Sequence, residues 1–156
     1  MVKRLILIVG FVFLGMFAAN AQYDAAIGIR GGLSNGITYK NMMGGSAVEI
    51  IAATRYRGLN VTLLFERQNN ISEVPGLYWF YGVGGHVGFW RDSHYNPWFE
   101  KDDDYIVIGV DAIIGLEYVF DVVPINLSID WKPAFNLIGY TGFWGDNGAL
   151  SIRYTF

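Results

Sequence analysis

The sequence predicts an all-β fold: a closed antiparallel up-and-down β-barrel of eight strands that spans a membrane. Three observations predict it. Several segments alternate apolar and polar residues with a period of two, which indicates strands. The faces opposite the apolar residues are rich in Gly and Ser and carry isolated acids and bases, as a narrow enclosed lumen requires. The 156 residues are 53% apolar and only 16% charged, which is unusual for a water-soluble domain.

Composition also excludes several classes of function. The chain has no cysteine, which excludes a disulfide scaffold, a thiolate metal site, a cysteine nucleophile and a lipid-modified cysteine anchor. A formal charge of −3 without a basic patch argues against binding to nucleic acid, because phosphate contacts need clustered Lys and Arg.

The first 21 residues are predicted to be a cleavable signal peptide. Lys3 and Arg4 precede an apolar run over 5–19, and Ala19-Asn20-Ala21 offers small residues to a signal peptidase. The run is shorter than the roughly 20 residues that a spanning helix needs, which disfavours a permanent anchor. Cleavage before Gln22 leaves one domain over 22–156.

The strands follow in order along this domain. Residues 23–42 are divided into two strands at Asn35-Gly36, because this dipeptide favours a type I′ hairpin turn. If they form one long strand, the count falls to seven, against the even-number rule for single-chain barrels. The other predicted strands cover 47–57, 60–68, 77–90, 105–118, 125–137 and 149–156.

Turn lengths predict which end of the barrel faces out. Short turns at 43–46, 70–76 and 119–124 are expected in the periplasm, and the longer loops at 91–104 and 140–148 are expected outside. A short connection, Gly58-Leu59-Asn60, also lies at the outer end.

The polar faces supply a predicted ion-pair network in the lumen. In residues 125–132, for example, apolar residues alternate with Asn126, Ser128, Asp130 and Lys132. Because unpaired buried charges are costly, cations and anions are expected to balance. The predicted network is Arg30, Arg55, Lys132 and Arg153 with Glu49, Glu66, Asp111, Glu117 and Asp130.

Aromatic residues cluster at the predicted strand ends, which favours girdles at the lipid headgroups over an ordinary aromatic core. At the periplasmic end the predicted girdle is Tyr23, Trp79, Tyr81, Tyr118 and Phe120. Near the opposite ends lie Tyr56, Phe89, Tyr140, Phe143 and Trp144.

The C-terminal strand resembles the terminal signal of bacterial outer-membrane barrels, through Gly148, Leu150, Ile152, Tyr154 and Phe156. With segments 115–118 and 130–133, the mature chain resembles small eight-stranded outer-membrane proteins, especially the porin-family-like proteins of Bacteroidetes. The resemblance implies the outer membrane of a Gram-negative bacterium. It implies the lipid bilayer, lipopolysaccharide, the outer-membrane assembly machinery and periplasmic chaperones as partners, and it carries no catalytic residue.

Eight strands enclose an interior that side chains fill, so we expect a structural or surface-interaction barrel with no enzymatic activity and no cofactor. A small-solute channel and an enzyme that modifies lipid A are the alternatives. The candidates for the enzyme are Asp92, Ser93 and His94, but three consecutive side chains diverge too far for a nucleophilic relay. The external partner stays open.

Metal binding is not expected, although an acidic loop offers weak candidates for a divalent cation. These are Glu100, Asp102, Asp103 and Asp104. His86 lies on the lumen face between glycines and is interpreted as a hydrogen-bonded packing residue.

Overall fold

A computed structural model describes residues 23–55, 57–90, 105–139 and 141–156. These residues form ten strands of one antiparallel sheet. They are β1 (Ala25–Gly32), β2 (Asn35–Met43), β3 (Ser46–Arg55), β4 (Gly58–Asn70), β5 (Leu77–Trp90), β6 (Tyr105–Val119), β7 (Ile125–Trp131), β8 (Ala134–Ile138), β9 (Gly142–Trp144) and β10 (Gly148–Thr155). The sheet runs from β5 through β4, β3, β2, β1, β10 and β7 to β6, and β6 pairs with β5 to close it.

The ten strands occupy eight strand positions around the barrel, because two positions are each divided into two shorter strands. We call each position a stave. Both β7 and β8 pair with β6, and the register continues across the break from Ile114 opposite Trp131 to Asp111 opposite Ala134. Likewise β9 pairs with β8 while β10 pairs with β7, so these two strands form the last stave. The predicted all-β, closed, antiparallel, eight-stranded barrel is therefore confirmed, and residues 23–42 supply two strands.

Pro133 lies at the break between β7 and β8. Proline has no N–H to give to a ladder, although its carbonyl still accepts the Ala112 N–H at 3.0 Å. On the other side, three residues (145–147) face two (132–133), which makes a β-bulge. The bulge lies opposite Pro133.

The hairpin between β1 and β2 differs from the prediction. Asn35 and Gly36 belong to β2, the turn lies at Leu33–Ser34, and neither Asn35 nor Gly36 has a positive φ. Asn35 instead stabilises the turn as the residue that follows it, because its Oδ1 accepts the Gly32 N–H at 3.2 Å across Leu33–Ser34.

A hairpin with the backbone angles of a type I′ turn connects β2 to β3. Gly44 and Gly45, with φ of 53° and 68°, lie between the paired residues Met43 and Ser46. The predicted turn at 43–46 is thus the tight hairpin that was expected at Asn35-Gly36.

The predicted connections at 58–60 and 140–148, at the end of the barrel away from the Gly44-Gly45 hairpin, were also wrong. Residues 58–60 belong to β4, because Arg55 already pairs with Gly58 and the chain reverses through Arg57 at a φ of 61°. The expected loop at 140–148 contains β9, since the bulge beside Pro133 lets the chain rejoin the sheet. The predicted loop at 91–104 and the predicted signal peptide lie outside the described residues.

We call the end with the connections at 44–45, 71–76 and 120–124 the turn end, and the other the loop end. Along the strands, most of the large apolar side chains point outward and most of the polar ones point inward. Inside, β3, β4 and β6 each carry an apolar residue between two polar levels. These residues, Ile51, Leu64 and Ile113, pack with Phe80 and Ala53.

Candidate functional site

The lumen near the turn end holds a cluster of charges. We define the turn-end cluster as Lys40, Glu49, Glu66, Glu117 and Arg153, together with Tyr23. The five charged residues come from five different strands, and each is at most 1% exposed.

Two cations tie this cluster together. Lys40 Nζ lies 2.9 Å from Glu66 Oε2 and 3.3 Å from Glu117 Oε2. Arg153 lies 2.5 Å from Glu49 Oε1 through Nη2 and 3.5 Å from Glu117 Oε2 through Nη1. The Thr38 hydroxyl also donates a hydrogen bond to Glu49 Oε1. The cluster therefore links strands on opposite sides of the lumen.

Tyr23 does not belong to the outer aromatic girdle, contrary to the prediction from the sequence. Its ring is buried, and its hydroxyl donates a hydrogen bond of 2.6 Å to Glu117 Oε1. The residue lies just before β1, where strand alternation no longer sets the direction of a side chain, so an aromatic at the end of a strand was free to turn inward. The other predicted girdle residues, Trp79, Tyr81, Tyr118 and Phe120, are exposed on the outer surface.

A separate ion pair crosses the middle of the lumen. Arg30 donates two parallel hydrogen bonds to Asp130, of 2.5 and 2.6 Å, from β1 to β7 across β10. This bidentate geometry matches the guanidinium fork to the carboxylate and is the strongest arrangement for such a pair.

Nearer the loop end lies a second cluster around Asp111. Lys132 Nζ donates a 2.5 Å hydrogen bond to Asp111 Oδ1, and His86 Nδ1 lies 2.6 Å from Asp111 Oδ2. The other ring nitrogen of His86 lies 2.9 Å from Asn136 Oδ1. Both nitrogens of His86 are therefore engaged within the barrel wall.

The mouth at the loop end is covered. Trp144 stacks on His86 at 5.8 Å between ring centroids and meets Trp90 edge-on at 5.7 Å. Arg55 lies over Trp144 and donates a 2.7 Å hydrogen bond to Asp146, whose pKa this bond lowers. Trp144, placed near the outer aromatics by sequence, is instead buried inside because the bulge before β10 shifts the alternation by one residue.

All nine residues of the predicted network are buried on the lumen side, each at most 8% exposed. Sequence reasoning missed Lys40, the fifth lumen cation, which makes five cations against five carboxylates. The signal was present, because Thr38 and Lys40 alternate with Ile37 and Tyr39.

Along the C-terminal strand, the predicted assembly residues Leu150, Ile152 and Phe156 are exposed on the outer surface. Tyr154 is half-buried and its ring stacks on Phe156 with centroids 6.1 Å apart. Gly148 begins β10 opposite Trp131.

Among the described residues, no group of three or more His, Asp or Glu side chains is arranged to hold a metal ion. The candidates at 92–94 and 100–104 lie outside these residues. In the described parts of the chain, no helix is long and apolar enough to cross a bilayer.

The lumen is thus a charged interior in which the described charged side chains form ion pairs with one another. Comparison with known proteins adds no further assignment: no family model, curated protein or solved structure matches this chain.

Proposed function

We propose that this chain is an integral β-barrel of a Gram-negative outer membrane, with a structural or surface-interaction role. It is exported through a signal peptide at 1–21, and the turn end faces the periplasm. The proposal assigns it no cofactor and no catalytic activity.

One observation carries the proposal, namely that the polarity of the barrel is inverted. Every stave shows large apolar side chains to its surroundings, which we call the apolar belt, while the charges lie inside. Representative belt residues, each 42–66% exposed, are Ile29, Ile37, Ile50, Leu63, Val83, Val110, Ile129, Phe135, Phe143 and Leu150. In water such a belt costs about 25 cal/mol per Å² and far exceeds the apolar patches of soluble monomers. In lipid the same surface is solvated.

Aromatic pairs on the outer surface at the turn end also support the placement of the belt in a membrane. Trp79 and Tyr81 stack at 5.2 Å, and Tyr118 meets Phe120 edge-on at 4.8 Å, on the outer surface. Rings with polar tips favour the level of the lipid headgroups.

The filled lumen argues for a structural role over transport. Ion pairs lie inside the barrel at three levels, at Lys40 with Glu66, at Arg30 with Asp130 and at Lys132 with Asp111. A permanent aqueous channel would require these pairs to separate. We therefore propose that the chain conducts no large steady current.

Heat modifiability in a detergent gel tests the proposal. The folded barrel is expected to migrate differently before and after boiling, and the protein is expected to insert into lipid vesicles and resist extraction by carbonate. Purified protein that stays monomeric and folded without detergent would contradict the proposal. Sustained porin-sized conductance in a planar bilayer would leave the barrel but overturn the structural role.

The alternative enzymatic role is tested separately. Lipid A from cells with and without the protein is expected to have the same acyl chains by mass spectrometry. Loss of one acyl chain only in cells that carry the protein would replace the structural role by lipid A modification.

A further inference from the structure

The turn-end cluster contains one more carboxyl group than it has cations. Among the described residues, the cations that Glu49, Glu66 and Glu117 face are Lys40 and Arg153. Within the same described part of the chain, the remaining strands bring no charge to this level, because β5 contributes Phe80, under Lys40 at 4.4 Å, and β7 contributes Asn126 and Ser128. Tyr23, just before β1, donates a neutral hydroxyl.

Solvent does not screen this excess, because the three carboxyl groups are at 0% exposure. On β3, β4 and β6, the apolar residues Ile51, Leu64 and Ile113 lie between this level and the loop end. A net buried charge without a partner is costly in such surroundings, so the cluster must be neutralised where it lies.

The three carboxyl groups are satisfied unequally. Glu117 meets Lys40 and Arg153 and accepts hydrogen bonds from Tyr23 and Gln68. Glu49 meets Arg153 and Thr38. In the described part of the chain, the cation paired with Glu66 is Lys40, which Glu66 shares with Glu117.

Glu49 and Glu66 are also neighbours of each other. They lie diagonally on the paired strands β3 and β4, where Glu49 is opposite Leu64 and Glu66 is opposite Ala47. Glu49 Oε2 and both carboxyl oxygens of Glu66 find no hydrogen-bond donor among the described residues. A proton held between these two neighbouring carboxyl groups would supply the missing donor.

We propose that the Glu49–Glu66 pair is a proton-binding site and that Glu66 carries the proton in the folded barrel at neutral pH. Glu49 keeps its charge because Arg153 and Thr38 hold it. The protonated Glu66 donates to Glu49, and the cluster is then neutral, with two cations and two carboxylates. No metal ion is needed for this balance.

Folding then takes up one proton. In the unfolded chain Glu66 ionises with the ordinary carboxyl value of about 4.3. The folded state binds one more proton above that pH, so stability falls as the pH rises. For one proton, the unfolding constant increases about tenfold per pH unit until the folded pair releases it.

Unfolding by urea in detergent micelles measures this uptake. At about pH 6, 7 and 8, all above the ordinary carboxyl range, we compare the natural chain with Glu66→Gln, which supplies the hydrogen bond but cannot ionise. The ratio of the two unfolding constants is expected to rise about tenfold per pH unit. The matched control, Glu73→Gln at an exposed turn position, is expected to follow the natural chain. A ratio independent of pH would overturn the proposal.

Infrared spectroscopy of the natural chain decides the question even if Glu66→Gln does not fold. The carbonyl stretch of a protonated carboxylic acid is expected at neutral pH, shifting in heavy water, and is expected to persist in Glu73→Gln. If this band is absent and stability depends on Na⁺ when choline replaces it, a bound cation neutralises the cluster and the proposal is wrong. Neither measurement depends on the membrane location, so a water-soluble barrel would contradict the proposed function alone.

Discussion

Arg30 and Asp130 meet across β10 through hydrogen bonds of 2.5 and 2.6 Å, and both side chains are almost inaccessible to solvent. Taking such ions out of water costs several kcal/mol per ion, which good geometry offsets only while both partners are present. The energetics of single lumen residues therefore depend on their partners more than on their own burial.

Arg30→Met is expected to lower the free energy of unfolding by about 3–5 kcal/mol, because it leaves Asp130 buried and uncompensated. The double variant Arg30→Met with Asp130→Leu is expected to lose less than this single variant, since no charge is stranded. Urea unfolding in detergent measures both. Additive losses in the double variant would show that the two side chains do not act as a pair.

Tyr23→Phe tests whether the Tyr23 ring lies in the lumen or in the outer girdle. Removal of the hydroxyl takes a hydrogen bond from the buried Glu117 carboxylate and is expected to cost about 1–3 kcal/mol of unfolding free energy. Tyr81→Phe, at a residue 47% exposed on the outer surface, is the matched control and is expected to be nearly neutral. Equal effects of the two substitutions would argue that Tyr23 belongs to the outer girdle.

The strands of this barrel end at positions set by backbone conformation more than by the alternation of apolar and polar residues. Gly44 and Gly45 reverse the chain with positive φ, Arg57 does so at the other end, and a bulge opposite Pro133 interrupts the last stave. Strand existence and facing were predictable from alternation, because the period of two is set by the chain itself. Turn positions were not, because Asn35-Gly36 fits a strand as well as a hairpin.

Gly36→Ala tests the assignment of Gly36 to β2. An added Cβ would collide with the Ala52 carbonyl on β3, so we expect a loss of about 1–3 kcal/mol, typical of overpacking. Gly31→Ala, where the nearest atom to an added Cβ is Asn35 Oδ1 at 3.8 Å, is the control and is expected to be tolerated. Thermal unfolding compares the two. If Gly36→Ala is as stable as Gly31→Ala, the close strand pairing at Gly36 is wrong.

In the described part of the chain, the strands turn most of their large apolar side chains outward and most of their charged ones into the lumen. The proposed membrane location accounts for this arrangement, because apolar surroundings do not impose the free-energy cost that water does. The belt, more than any single site, is therefore the feature on which the proposed membrane location depends.

Ile129→Lys tests the belt against its surroundings. Ile129 is 56% exposed in the middle of β7, and a Lys there is expected to cost about 2–4 kcal/mol at the centre of a bilayer. Val122→Lys, at a residue 93% exposed in the turn after β6, is the control and is expected to be neutral. Folding yield into lipid vesicles measures both. A neutral Ile129→Lys would show that this surface faces water.

The sequence by itself determined the barrel class, the strand count and which face of each strand is polar, because alternation depends only on local backbone geometry. Nine of the ten charged residues described in the lumen were also predictable from the sequence, Lys40 being the exception. Only the tertiary structure decided which charges pair, since Arg30 and Asp130, or Glu117 and Tyr23, are about a hundred residues apart and meet only when the sheet closes. The inward turn of Tyr23, the bulge that buries Trp144 and the contact between Glu49 and Glu66 likewise depend on the curvature and register of the closed sheet, which no local pattern encodes.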